Sequence, residues 1–173
     1  MWFARGVGAA RGGNVASAKS DLARLEALRD SMTAGKNTYW AEQAEIQRLA
    51  VAGWIARAEG RNDEAVALLR RAADIEGKTE KHPVTPGSIQ PASEMLAELR
   101  LDLGQPTQAL AEFEASQKTD PNRFHGLAGA ARAAAQAGDR ERARRYYTEL
   151  LALAKTADSE RPELKQAKAY IGQ

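Results

Sequence analysis

Two glycines, Gly104 and Gly138, lie 34 residues apart, and the chain around the first is echoed around the second. Each is followed five residues on by an alanine (Ala109, Ala143) and nine on by an aromatic ring (Phe113, Tyr147). Self-similarity at this period marks a helix-turn-helix unit stacked on copies of itself. One such unit cannot bury its apolar face alone, so the echo points to an all-α, right-handed solenoid. It also bounds the role to a surface that holds something, and leaves the partner open.

The same phrase occurs twice upstream. Gly60-Arg61-Asn62-Asp63-Glu64-Ala65 repeats the glycine, polar turn and alanine, with Leu69 at the ring position. Gly13-Asn14-Val15-Ala16-Ser17-Ala18 does so again, with Leu22. Here the spacing is irregular. The ten surplus residues between Gly60 and Gly104 fall at 78–87. The thirteen between Gly13 and Gly60 read as two longer helices, about Asn14 to Ala34 and Thr38 to Glu59, joined at Gly35-Lys36-Asn37. Helices are also expected at about Ser88 to Leu103, Pro106 to Lys118, Asn122 to Ala137 and Asp139 to Thr156. Pro91 falls in a first turn, Pro106 opens a helix, Asp120-Pro121 stops one and Asp139 caps one. A last helix, Arg161 to Ile171, carries the apolar stripe Leu164, Ala167, Ile171 and would cover the final repeat. The sum is about four helix pairs plus a capping helix in one domain, 1–173. Its repeats are about 1–35, 38–77, 88–121 and 122–156, with an inserted loop at 78–87 and the cap at 160–172.

Composition agrees. Only 6% of the 173 residues are aromatic and no dense Val/Ile/Thr patterning occurs, which favours helix over strand. Lys plus Arg number 25 against 23 Asp plus Glu, a net charge of +2, too small an excess for a nucleic-acid or anionic-lipid footprint. Arg140, Arg142, Arg144 and Arg145 are interleaved with Asp139, Glu141 and Glu149, as on a solvated helix face. There is no cysteine, so disulfides and cysteine zinc sites are excluded. No apolar run approaches a membrane span, and the start lacks the basic and long apolar regions of a signal peptide. As written the chain reads as a soluble, cytoplasmic protein, or as a periplasmic or secreted one if it is a piece of a longer exported protein.

At these residues the chain resembles the tetratricopeptide repeat family. Leu96 and Ala97, then Ala130 and Ala131, stand at that family's large and small sites in the first helix of a pair. Gly104 and Gly138 stand at its turn, Ala109 and Ala143 at its small site in the second helix, Phe113 and Tyr147 at its ring site and Pro121 at its closing proline. The first repeat lacks its opening residues, and Lys155 replaces the closing proline of the fourth. The segments Glu80–Gly87 and Asp120–Phe124 also resemble the C-terminal part of longer bacterial proteins of this family, whose role is unsettled.

The resemblance implies a non-enzymatic interaction scaffold that holds a peptide or a partner helix on the concave face lined by first helices. The alternative is a self-association or intrachain docking module within a larger protein. Projecting first-helix positions inward gives a groove of Gln47, Trp54, Arg57, Glu94, Glu98, Asp102, His125, Arg132 and Gln136, with an acidic middle suited to a basic or mixed-charge peptide. Each also reads as an ordinary solvated residue. Trp54 is an anchor if exposed, but beside Ile55 in a long helix it reads equally as core. Tyr39-Trp40 reads as a staple to a neighbouring helix, Tyr147 as core and Tyr146 as outer face. In the inserted segment His82, Pro83, Thr85 and Pro86 form a stiff loop that either completes a site or acts as a spacer. His82 and His125 are the only histidines and have no metal-ligand spacing, so no catalytic residue, metal or cofactor is expected. The partners expected are protein or peptide, with a homo-oligomer possible and neither nucleic acid nor membrane insertion.

Overall fold

The structure is a computed structural model that describes residues 1–79, 88–158 and 161–172. The described residues form nine α-helices and no strand: α1 (Trp2–Arg11), α2 (Val15–Ala34), α3 (Thr38–Ala58), α4 (Asn62–Glu76), α5 (Ala92–Asp102), α6 (Pro106–Thr119), α7 (Phe124–Gln136), α8 (Arg140–Leu153) and α9 (Pro162–Ile171). The chain divides into two compact units, Met1–Leu96 and Ala97–Gln173. In the first, α1 packs on α2 and α3, and α3 packs on α2 and α4. In the second, α6, α7, α8 and α9 each pack on the next in sequence. Helix thus follows helix, as the repeat requires. The loop expected at 78–87, with His82, Pro83, Thr85 and Pro86, lies outside the described residues from 80 to 87.

All four echoed glycines do the same work. Gly13, Gly60, Gly104 and Gly138 have φ of 81, 80, 69 and 79°, the left-handed region that a side chain disfavours. Behind each, the last turn of a helix closes in one pattern. The glycine N–H bonds three residues back, and the next N–H bonds five back, as Asp139 N to Ala134 O at 2.9 Å. The otherwise orphaned helix-end carbonyls are satisfied before the chain reverses. The next helix is then capped by side chains in places: Asn14 accepts from Ser17 N at 3.1 Å and Asp139 from Arg142 N at 3.0 Å.

A fifth reversal uses the same hydrogen bonds but no glycine at its apex. Between α2 and α3, Lys36 N donates to Thr33 O and Asn37 N to Met32 O, at 3.0 and 2.9 Å. The left-handed residue is Lys36 (φ 56°), while Gly35 beside it is right-handed. The glycine signal in the sequence therefore sits one residue from the position that needs it.

The core is a ladder counted from each glycine. Five residues on, Ala18, Ala65, Ala109 and Ala143 are wholly buried. Nine on, Leu69, Phe113 and Tyr147 are buried, while Leu22 is half-buried. Twelve on come Leu25, Ala72, Ser116 and Leu150, all buried. Seven before stand Gly6, Gly53, Ala97 and Ala131, also buried. A Cβ on Gly53 would lie 2.9 Å from Leu69 Cγ, and one on Gly6 would lie 3.1 Å from both Val51 methyl carbons. These small residues let helix backbones approach and bring the larger rungs into contact. In the second unit Gly129 is the tightest point: a Cβ there would lie 2.2 Å from Phe113 Cζ and 2.3 Å from its Cε1.

Two helices start later than their sequence suggests. α5 begins at Ala92 because Pro91 disfavours helix at Gln90. Glu76, at the end of α4, accepts the Ala92 N–H and the Ser88 hydroxyl, each at 2.6 Å, and closes that entry. α7 begins at Phe124 because Asn122 is left-handed (φ 59°), its N–H donating to Gln117 Oε1 at 3.2 Å. One buried charge pins the first pair. Asp21 is inaccessible and is gripped through both oxygens by Arg5, with Nε at 2.8 and 3.1 Å, which holds its carboxyl below the usual range.

The turns and the ladder each give an expected outcome. In urea unfolding, Gly138→Ala costs about 1–2 kcal/mol, the penalty of a side chain in the left-handed region. Lys36→Gly instead stabilises, by about 0.5–1 kcal/mol, because the greater freedom of glycine in the unfolded chain offsets part of the relief. Gly129→Ala destabilises by about 1–3 kcal/mol through overpacking. Part of that loss returns when Phe113→Leu is added, since the two sites share one space, and thermal unfolding of the four-member cycle measures this coupling.

Candidate functional site

The expected groove residues fall on both sides of the division and are placed within each unit. In the first unit Gln47 is half-buried on α3. Arg57 is half-buried too, and its guanidinium donates to Asn62 Oδ1 at 3.1 Å, across the Gly60 turn. Arg100 spans the Gly104 turn in the same way, to Gln105 Oε1 at 2.9 Å. Trp54 is not an exposed anchor: it is 3% accessible and lies under Arg11, whose guanidinium carbon is 4.5 Å from the ring centre. Glu94 is likewise buried and lines no surface. The correction to Trp54 has a signal in the sequence. From Leu49 to Ala56, α3 carries no polar or charged side chain on any face, and a helix apolar all round is buried all round.

In the second unit Glu98 is half-buried and Asp102 exposed on α5. His125, Arg132 and Gln136 are exposed along α7, one stripe on a helix whose other residues, Gly126 to Ala134, are mostly core. His125 meets the Phe124 ring edge-on, and Arg161 covers the other ring contact at 4.3 Å. Arg132 makes no ion pair among the described residues, and it lies near enough to Tyr147 to favour the ionised phenol. Burial outweighs this and pushes the Tyr147 hydroxyl up. Tyr146, expected on the outer face, is buried; its hydroxyl donates to Glu114 Oε1 at 2.8 Å while Arg145 stacks on its ring at 4.5 Å. The arginine-rich face of α8 is indeed interleaved with acids: Arg142 pairs with Asp139 at 2.7 Å and with Glu114 at 3.3 Å.

One cavity of the first unit was not legible from repeat positions. α2 and α3 run 20 and 21 residues, against 10 for α1 and 15 for α4. At 1.5 Å per residue the hairpin reaches roughly 30 Å from the Gly13 turn, and α1 covers roughly half of it. The uncovered end opens a cavity of about 380 Å³. Its walls include Phe3 of α1, Leu28 and Met32 of α2, Tyr39, Trp40, Gln43, Ala44, Ile46 and Gln47 of α3, Glu76 and Ser88 to Gln90, with Met95 of α5. Tyr39 and Trp40 meet edge to face with ring centres 5.1 Å apart, and Trp40 stays 46% exposed. The free tryptophan of α3 is therefore Trp40, and the staple expected of it is only partly made. Beside the cavity, Glu45 takes Arg48 through Nε and Nη2 at 2.7 and 2.8 Å and Arg29 at 3.0 Å. These bonds, that to Arg48 foremost, hold its carboxyl below the usual range.

Among the described residues no group of three or more His, Asp or Glu could hold a metal ion, and His82 lies outside them. No helix among them is long and apolar enough to cross a membrane.

Consecutive antiparallel helices, glycine-closed turns and a ladder of small residues define an α-helical repeat protein. Residues 127–161, from α7 to the edge of α9, match the sequence model of the Tetratricopeptide repeat. Among solved structures, a variant of a kinesin-light-chain-like protein of Podospora anserina, built of nearly identical TPR-like repeats, superposes with a TM-score of 0.64. The match covers 98% of this chain and 81% of that one at 22% identity. PcrH from Pseudomonas aeruginosa superposes with a TM-score of 0.55 over 73% of this chain and 89% of its own, at 20% identity. At such identities the likeness is one of fold. No curated protein matches.

The two tryptophans of α3 should respond oppositely to truncation. Trp54→Ala costs about 3–5 kcal/mol, as loss of a large core side chain does. Trp40→Ala changes stability by about 1 kcal/mol or less, because its half-exposed ring contributes less burial. Chemical denaturation of the two variants, followed by circular dichroism, checks the contrast.

Proposed function

We propose that this chain is a non-enzymatic protein-interaction scaffold that holds an extended peptide or a partner helix along its first-helix faces. The observation that carries the reading is the α7 stripe. His125, Arg132 and Gln136 project to solvent from a helix whose remaining faces are alanine, glycine and leucine core. Arg132 is a cation with no carboxylate partner among the described residues, while Asp102 on α5 offers an exposed carboxylate in the same unit. Ala97 and Leu101 of α5 share one core cluster with Ala130, Ala131 and Ala134 of α7. A mixed-charge segment suits that pairing: a cation of the partner toward Asp102 and a carboxylate toward Arg132. The fold and the repeat type support this reading, since such repeats build extended binding surfaces from rigid stacked pairs.

Panning a random peptide library against the whole chain tests it. The expected binders carry both charge signs and weaken about tenfold or more on Arg132→Glu, a loss of about 1.4 kcal/mol or more, with helix content unchanged. Failure to recover any saturable binder, or binders indifferent to both Arg132→Glu and Asp102→Lys, would sink it.

A further inference from the structure

We propose that the cavity at the free end of the α2–α3 hairpin is a docking pocket for one bulky apolar side chain carried on an uncharged stretch of a partner polypeptide. The inference rests on the scaffold reading and adds a second, chemically different contact to it. A hairpin longer than its neighbours exposes apolar residues that a matched helix would cover, and here they enclose space. Trp40 and Ile89 stand at that surface, 46% and 82% exposed. A monomer seldom leaves large side chains clustered around a cavity without a use for them.

Size limits the occupant. About 380 Å³ lies at the low end of the range that holds a small ligand, so it admits an anchor side chain and its immediate neighbours. A second copy of the chain would need far more contact, roughly 800 Å² on each partner. Charge limits it further. Among the described residues the carboxylate in the lining is Glu76, which already accepts from Ser88 Oγ and from Ala92 N, both at 2.6 Å. No Lys or Arg lines the cavity among the described residues, so the described lining offers an anionic side chain no compensating cation. What the lining does offer is three side-chain amides, Gln43, Gln47 and Gln90, each able to donate and accept. Amides of that kind match the backbone groups of an inserted peptide. An apolar anchor on a neutral backbone is the chemistry that fits.

The test is a nuclear magnetic resonance titration of the whole chain with nine-residue, end-capped peptides of Gly, Ser and Asn, differing only in the central residue. Peptides centred on Leu, Phe or Trp should shift the Trp40 indole and the Gln43 and Gln47 side-chain amides saturably. They should bind at least about tenfold more tightly than the Ala-centred peptide, and the Arg- and Glu-centred peptides no more tightly than Ala. Ile89→Asp, at an exposed position, should abolish the shifts with helix content by circular dichroism unchanged, and Ala44→Leu, which fills the cavity, should do the same. Absence of saturable shifts overturns the proposal, as does preference for the Arg-centred peptide. So does a concentration-dependent change of the same resonances in the protein alone, which would assign the surface to a second copy. Mixed-charge binders that respond to Arg132→Glu but not to Ile89→Asp would leave the scaffold reading standing and remove the pocket alone.

Discussion

Everything in both units depends on two helix backbones coming close at a small residue. Gly6, Gly53, Ala97 and Ala131 in the first helices, and Ala18, Ala65, Ala109 and Ala143 in the second, leave no side chain to hold the backbones apart. Only at that separation do the larger rungs, Leu69 or Phe113 or Tyr147, reach their neighbours and exclude water. The turns serve the same end. A left-handed residue reverses the chain within a few positions, which fixes the register in which the small residues meet. The close fit leaves little slack: Gly129 and the Phe113 ring occupy one space, and one additional methyl must displace something.

The repeat was legible because a glycine in the left-handed region and an alanine five residues later are chemical necessities that leave fixed letters. The first two pairs were harder to read for the same physical reason. Glycine and alanine are equivalent at the small site, so Gly6 and Gly53 do not announce themselves as Ala97 and Ala131 do. At the α2–α3 turn the left-handed residue is a lysine, and the adjacent Gly35 misdirects by one position. Trp54 could not be settled from spacing, because a helix flanked on several sides buries residues that a two-sided helix would show. The run around Trp54, apolar on all faces, carried that information. The entry to α5 depends on Glu76, a carboxylate sixteen residues before the N–H it receives, and no local pattern encodes such a bond.

The candidate site was less legible than the fold. His125, Arg132, Gln136 and Asp102 project to solvent from first helices, as their positions in the repeat imply. Positions alone could not reveal the cavity, which comes from a mismatch of helix lengths rather than from any residue type. The thirteen surplus residues signalled that mismatch, but an excess of length does not say what it encloses.

That mismatch has a consequence for how such chains diversify. The rungs of the ladder lie within seven residues before and twelve after each turn glycine, so the far ends of a hairpin contribute little to the shared register. Residues can be added there without disturbing the core, and the added length emerges as new surface. A repeat protein of this kind can therefore acquire a site by growing outward from one joint, while the residues that keep it folded stay where they were.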